Sequence, residues 1–142
     1  NKTINRFNDR LHRVRIPLNE PLPDVHFLSM FAGDDGYLIR AAVDHGTRGI
    51  VYSAVGAGNV NPPTFDAIKY ALSKGIPVVI CTRVFEGAAE PAYGDVGGGA
   101  DLLKHGCILL PGLDGPKARI LLMLALAHYG NDAAKLKEVF SL

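Results

Sequence analysis

Few residues in this 142-residue chain are of a type and spacing that could do chemistry. Asp34 and Asp35 form an adjacent carboxylate pair, the raw material of general acid–base catalysis. They also stand directly before an amphipathic run, where an acid caps a helix, and the cap explains them with less. The loop Gly56-Ala57-Gly58-Asn59 follows the apolar run "GIVYSAV" and lets backbone approach a ligand closely. It is not a P-loop, because no Gly-Lys-Ser/Thr ending follows, and it lacks the third glycine of a dinucleotide-binding GxGxxG. Segment 83–106, "RVFEGAAEPAYGDVGGGADLLKHG", is long for a connection and rich in glycine, a combination common in binding loops. The histidines, His12, His26, His45, His105 and His128, are scattered, and no serine sits in a GxSxG elbow. Cys81 and Cys107 form no CxxC pair and have no histidine at metal-ligand spacing. Both lie in apolar runs and read as buried thiols, with a disulfide between them left open. On residue types alone, no complete catalytic set is present.

The elements that must position these loops alternate in type. "DVHFLSM", "GIVYSAV", "IPVVICT" and "GCILL" are short apolar runs that read as strands. Helices are expected at "YLIRAAVDHG", at "PPTFDAIKYALSKG", at "GPKARILLMLALAHYG", and at "DAAKLKEVFSL" with Asp132 as its cap. In the second of these, Phe65, Ile68 and Leu72 share one face, proline occupies the first turn and Gly75 ends the helix. Strands that are apolar throughout and alternate with helices imply a parallel sheet covered on both faces. The expectation is therefore an α/β fold: one small domain, a four-stranded parallel sheet and about four helices on both faces. In such sheets ligands bind beyond the carboxyl ends of the strands, where loops 55–61 and 83–106 lie.

Size and charge narrow the function further. This length suits one domain, and 48% hydrophobic residues argue against disorder. A net charge of +1 gives no reason to expect nucleic acid or a membrane surface as partner. The longest apolar run, 120–127, is too short to span a bilayer. One local bias stands out: Lys2, Arg6, Arg10, Arg13 and Arg15 face a single acid, Asp9. Residues 1–20 accordingly read as a basic linker or tail, and 21–142 as the domain.

Two long stretches resemble a known family. "GIVYSAVGAGNVNPPTFDAIKYALSKGIPVVICTRVFEGAAEPAYG" and "LPGLDGPKARILLMLALAHYGNDAAKLKEVFSL" are similar to the carboxyl-terminal domain of the L-asparaginases. The shared features run in order. A glycine loop ending in Asn59 comes first, then Thr82-Arg83 at a strand end. An acidic, glycine-containing loop at 86–99 follows, and Lys117-Ala118-Arg119 opens a Leu121-Leu122 helix. The resemblance covers roughly residues 24–142 and implies a share in hydrolysing L-asparagine to L-aspartate and ammonia. Glutaminases and amidotransferase subunits share this fold. The family's threonine nucleophile and its Thr-Asp-Lys set belong to a larger amino-terminal domain, in TGGTI-like and DGTDT-like motifs that Thr3, Thr47, Thr64 and Thr82 do not reproduce. The resemblance thus places no catalytic residue in this chain, which is expected to be inactive alone, and it implies no metal or other cofactor. Its implied partners are the amino-terminal domain of the same enzyme, further copies in a homodimer or homotetramer, and L-asparagine. By the same resemblance Asn59 is offered across the dimer to the substrate's α-amino end, and Asp95 supplies a nearby acid, with Glu86 and Glu90 as competitors. The alternative is a non-catalytic α/β module that binds a small ligand or effector, or serves for association.

Overall fold

Each apolar run does become a strand. The computed structural model describes residues 21–85 and 87–141, and the linker or tail expected at 1–20 lies outside the described residues. Strands β1 (Val25–Ser29), β2 (Gly49–Ala54), β3 (Val78–Thr82) and β4 (Ile108–Leu109) pair in parallel in the order β1-β2-β3-β4. Among them run α1 (Tyr37–Asp44), α2 (Pro62–Ser73) and α3 (Gly99–Lys104), and α4 (Gly115–Tyr129) and α5 (Ala133–Phe140) follow. Each crossover steps to the adjacent strand in one direction. Crossovers of a single hand then put all their helices on one face of the sheet. The core follows that rule, because side chains alternate along a strand. Ile50, Tyr52, Val78 and Ile80 pack on one face with Ile39 of α1, Phe65 and Ile68 of α2 and Leu102 of α3. Val51, Val79 and Cys81 pack on the other with Leu122 of α4 and Leu136 of α5. Every residue of β2 is buried, so this strand needs apolar side chains in both directions.

Five helices stand among the described residues, one beyond the four segments that read as helices in the sequence. Segment 83–106 is not loop throughout, since its end folds as α3. Three glycines lead into this helix and it is only six residues long, so neither propensity nor periodicity announced it. The fourth strand is also shorter than "GCILL", with only Ile108 and Leu109 laddered to β3.

Caps explain where the other helices begin. The Asn61 side chain accepts from Thr64 N at 2.9 Å, Asp114 from Lys117 N at 2.9 Å, and Asp132 from Ala134 N and Lys135 N at 3.0 and 3.1 Å. At α1 the expected acid cap is replaced. Gly36 is the N-cap and has no side-chain cap, while Asp35 accepts from Tyr37 N at 2.9 Å. Asp34 is drawn inward instead. Cys81 and Cys107 are buried free thiols on opposite faces of the sheet, which closes the disulfide option. Burial pushes the Cys107 thiol up to about 12, so it stays protonated and unreactive at neutral pH.

Candidate substrate-binding edge

Loops 55–61 and 83–99 meet at the carboxyl edge of β2 and β3 and form one knitted unit. Within the first, Val55 N donates to Asn59 O at 3.1 Å and Asn59 N to Val55 O at 2.8 Å, closing a tight turn. The left-handed positions of this turn are Gly56 (φ 53°) and Gly58 (φ 97°), and no non-glycine residue described has positive φ. Asn59 is therefore not present to tolerate a left-handed backbone, a role its residue type could have filled. The second loop clasps the first. The Thr82 hydroxyl donates to Gly56 O at 2.6 Å, Glu90 N to Ala57 O at 2.9 Å, and Val60 N to Gly97 O at 2.9 Å. Gly99 N donates to Asn59 Oδ1 at 3.3 Å.

That last bond needs a glycine. A Cβ on Gly99 would lie 2.2 Å from Glu90 O, and one on Gly98 would lie 2.4 Å from Tyr93 O. The run 97–99 is there so that two pieces of backbone can touch. Asn59 is left half-buried, with one Oδ1 lone pair used by Gly99 and the other open. Its amide NH2 has no acceptor among the described residues.

The candidate acids sit differently. Asp95 is exposed, and only its backbone oxygen is engaged, accepting from Gly98 N at 2.8 Å. It lies one turn before the glycine that anchors Asn59, and no hydrogen bond among the described residues joins the two side chains. Glu90 is also exposed, but its own peptide N–H is on the Asn59 loop. Glu86 lies outside the described residues. No group of three His, Cys, Asp or Glu among the described residues could hold a metal ion.

A second polar cluster underlies this edge, and residue types did not reveal it. Asp34 is buried, and its carboxylate accepts from Gly36 N at 2.9 Å and from the Tyr52 hydroxyl. Burial first, then the bond to Asp34, pushes the Tyr52 phenol up, so it remains a donor. Asn61 Nδ2 donates to Asp34 O at 2.7 Å. Alongside, Arg83 Nη1 donates to Met30 O at 3.0 Å. The available signal was Asn61 before Pro62-Pro63, a helix-start signature; its reach back to Asp34 had none.

The comparisons with known proteins agree with this architecture. The sequence profile of the Glutaminase/Asparaginase C-terminal domain matches residues 24–140. The L-asparaginase of Bacillus licheniformis is 41% identical over 112 residues, covering 79% of this chain and 35% of that protein. L-asparaginase 2 of Escherichia coli is 34% identical over 124 residues, covering 87% of this chain and 34% of that protein. The crystal structure of a probable cytoplasmic L-asparaginase from Campylobacter jejuni superposes with a TM-score of 0.72 at 38% identity, covering 85% of this chain and 35% of that one. This chain spans about a third of the length of these relatives. A parallel four-stranded sheet with a glycine-knitted carboxyl edge, matched by that profile over most of its length, belongs to the glutaminase/asparaginase C-terminal domain family.

Proposed function

We propose that this chain is the carboxyl-terminal part of an L-asparaginase and that its carboxyl edge completes the substrate site of a neighbouring subunit. The observation that carries the reading is Asn59. Its Oδ1 is fixed by Gly99 N at the rim of the sheet and keeps one lone pair for an ammonium group. The α-ammonium of L-asparagine fits that acceptor, and the clasping loop carries the exposed acids Asp95 and Glu90, which would favour a cation nearby. The nucleophile that attacks the side-chain amide comes from the part of the enzyme outside this chain. Phe31, Tyr37, Val84, Phe85, Tyr93 and Val96 are exposed around this edge. Apolar surface gathered at one edge suits contact with the rest of the enzyme and with a second copy, as a dimer that pairs into larger assemblies or stands alone.

The test is Asn59→Ala in the complete enzyme. A hydrogen bond to a charged group contributes about 1.5–3 kcal/mol, so kcat/KM should fall roughly 10- to 100-fold. The fold should survive, because this side chain is not part of either core. A subunit with a dead nucleophile and intact Asn59 should restore turnover in mixed dimers. Unchanged kcat/KM, or mixed dimers without recovery, would remove Asn59 from the neighbour's site.

A further inference from the structure

We infer that Asn61 is a positioning residue that sets Asn59 for substrate by latching its loop to the buried Asp34–Tyr52 pair. This rests on the reading of Asn59 above. The loop that carries Asn59 has two ends. At its start it leaves β2 through Val55, and Thr82 and Glu90 hold its middle. At its finish, two residues past Asn59, stands Asn61, whose amide is divided between two tasks. Oδ1 accepts from Thr64 N at 2.9 Å and caps α2, while Nδ2 donates to Asp34 O at 2.7 Å. The first task is local and belongs to the helix. The second spans 27 residues and ties the loop to the β1–α1 connection.

That anchor is itself immobilised. Asp34 is 6% exposed, and its carboxylate is held from both sides by Gly36 N and by the hydroxyl of Tyr52, which is 1% exposed. Tyr52 lies on β2, the strand whose residues are buried throughout. The chain of contacts therefore runs from the middle of the sheet through Tyr52 and Asp34 to Asn61, and so to the exit of the Asn59 loop. The Asp34 side chain is engaged by Gly36 N and Tyr52 and the Asn61 side chain by Thr64 N and Asp34 O, none of them Asn59, so both act through the loop.

The two tasks of Asn61 can be separated. Asn61→Asp and Asn61→Ser each keep an oxygen to cap α2, and neither keeps an amide that can donate across to Asp34. In the complete enzyme each should raise KM for L-asparagine about 2- to 10-fold with kcat nearly unchanged, the size of one neutral hydrogen bond lost from binding. Melting temperature should fall only modestly, by the loss of the single bond to Asp34 O, because the cap is retained. In an Asn59→Ala background the same substitutions should have no further effect on KM, because the latch acts only through that side chain. An unchanged KM in both Asn61 variants, beside a raised KM in Asn59→Ala, overturns the latch and leaves the reading of Asn59 standing. Effects that multiply in the double variant also overturn it. An unchanged KM in Asn59→Ala overturns the underlying reading, and the latch with it.

Discussion

The helix-end glycines of the amino edge and Gly98 and Gly99 of the carboxyl edge are glycine for different reasons. At the amino edge, Gly46, Gly75 and Gly106 end helices with φ of 92°, 72° and 103°, and a Cβ on any of them would meet nothing within 4 Å. They serve the turn alone. At the carboxyl edge, Gly98 and Gly99 have no positive φ, yet a Cβ on either would collide with backbone oxygen. They serve contact between loops. A cleft of about 480 Å³ lies at the amino edge and is lined by Asp44, Arg48, Tyr70, Lys74 and Asn131 among others. A concavity of that size would suit a small ligand. However, that cleft is open and bordered by helix ends, whereas the opposite edge brings two loops together around one oriented amide. In a parallel α/β sheet the carboxyl edge is also where ligands bind.

The strongest break of this comparison would be activity in the chain alone. Thr47 and Thr64 are buried, and the Thr82 hydroxyl is donated to Gly56 O. Purified as residues 1–142, the chain should release no ammonia from L-asparagine above a buffer blank. With the apolar rim uncovered it should also self-associate, seen as scattering that rises with concentration. Measurable turnover would mean that an edge assigned to binding also carries the chemistry.

The glycines offer the next largest effect. Gly99→Ala forces Glu90 O away and pulls Gly99 N from Asn59, at a cost of about 1–3 kcal/mol for the overpacking. In the complete enzyme kcat/KM should fall about tenfold or more, with a lower melting temperature. Gly46→Ala costs about 1–2 kcal/mol for its left-handed backbone. It should lower melting temperature as much and leave KM unchanged. Stability alone would treat the pair alike, so equal losses of kcat/KM in both would erase the distinction between the edges.

How much of this was legible in the sequence follows the range of the interactions. The sheet was legible because burial on both faces demands apolar runs, and β2 and β3 have them. Asp132 and Pro62 marked helix starts because caps act within a few residues. By contrast, α3 hid behind glycines chosen for contact with Glu90 O and Tyr93 O, a demand from residues five to nine positions away. Asn59 stood out only through resemblance to a family, since its partner Gly99 lies 40 residues on. Tyr52 looked like any strand residue, and only the folded chain brings Asp34 beneath its hydroxyl. Asp34 itself was read as a cap because nothing nearby in sequence competes for it.

The smallest effect is expected at the amino-edge cleft, and it is the control for the rest. Lys74 stands at the end of α2 with its ammonium 5.5 Å from the centre of the Tyr70 ring. A cation at a helix carboxyl end contributes about 0.3–1 kcal/mol, and an exposed contact over a ring about 0.5–1 kcal/mol. Lys74→Ala should therefore lower the melting temperature of the complete enzyme slightly and leave kcat/KM for L-asparagine within about twofold, the change one loses in assay scatter. Molar salt should shrink the stability loss, since the screening length falls to about 3 Å at 1 M, shorter than this contact. A several-fold rise in KM in Lys74→Ala, repeated in Arg48→Ala, would show that the cleft takes part in binding. The two edges would then be halves of one coupled device, and the division drawn from their glycines would describe the backbone alone.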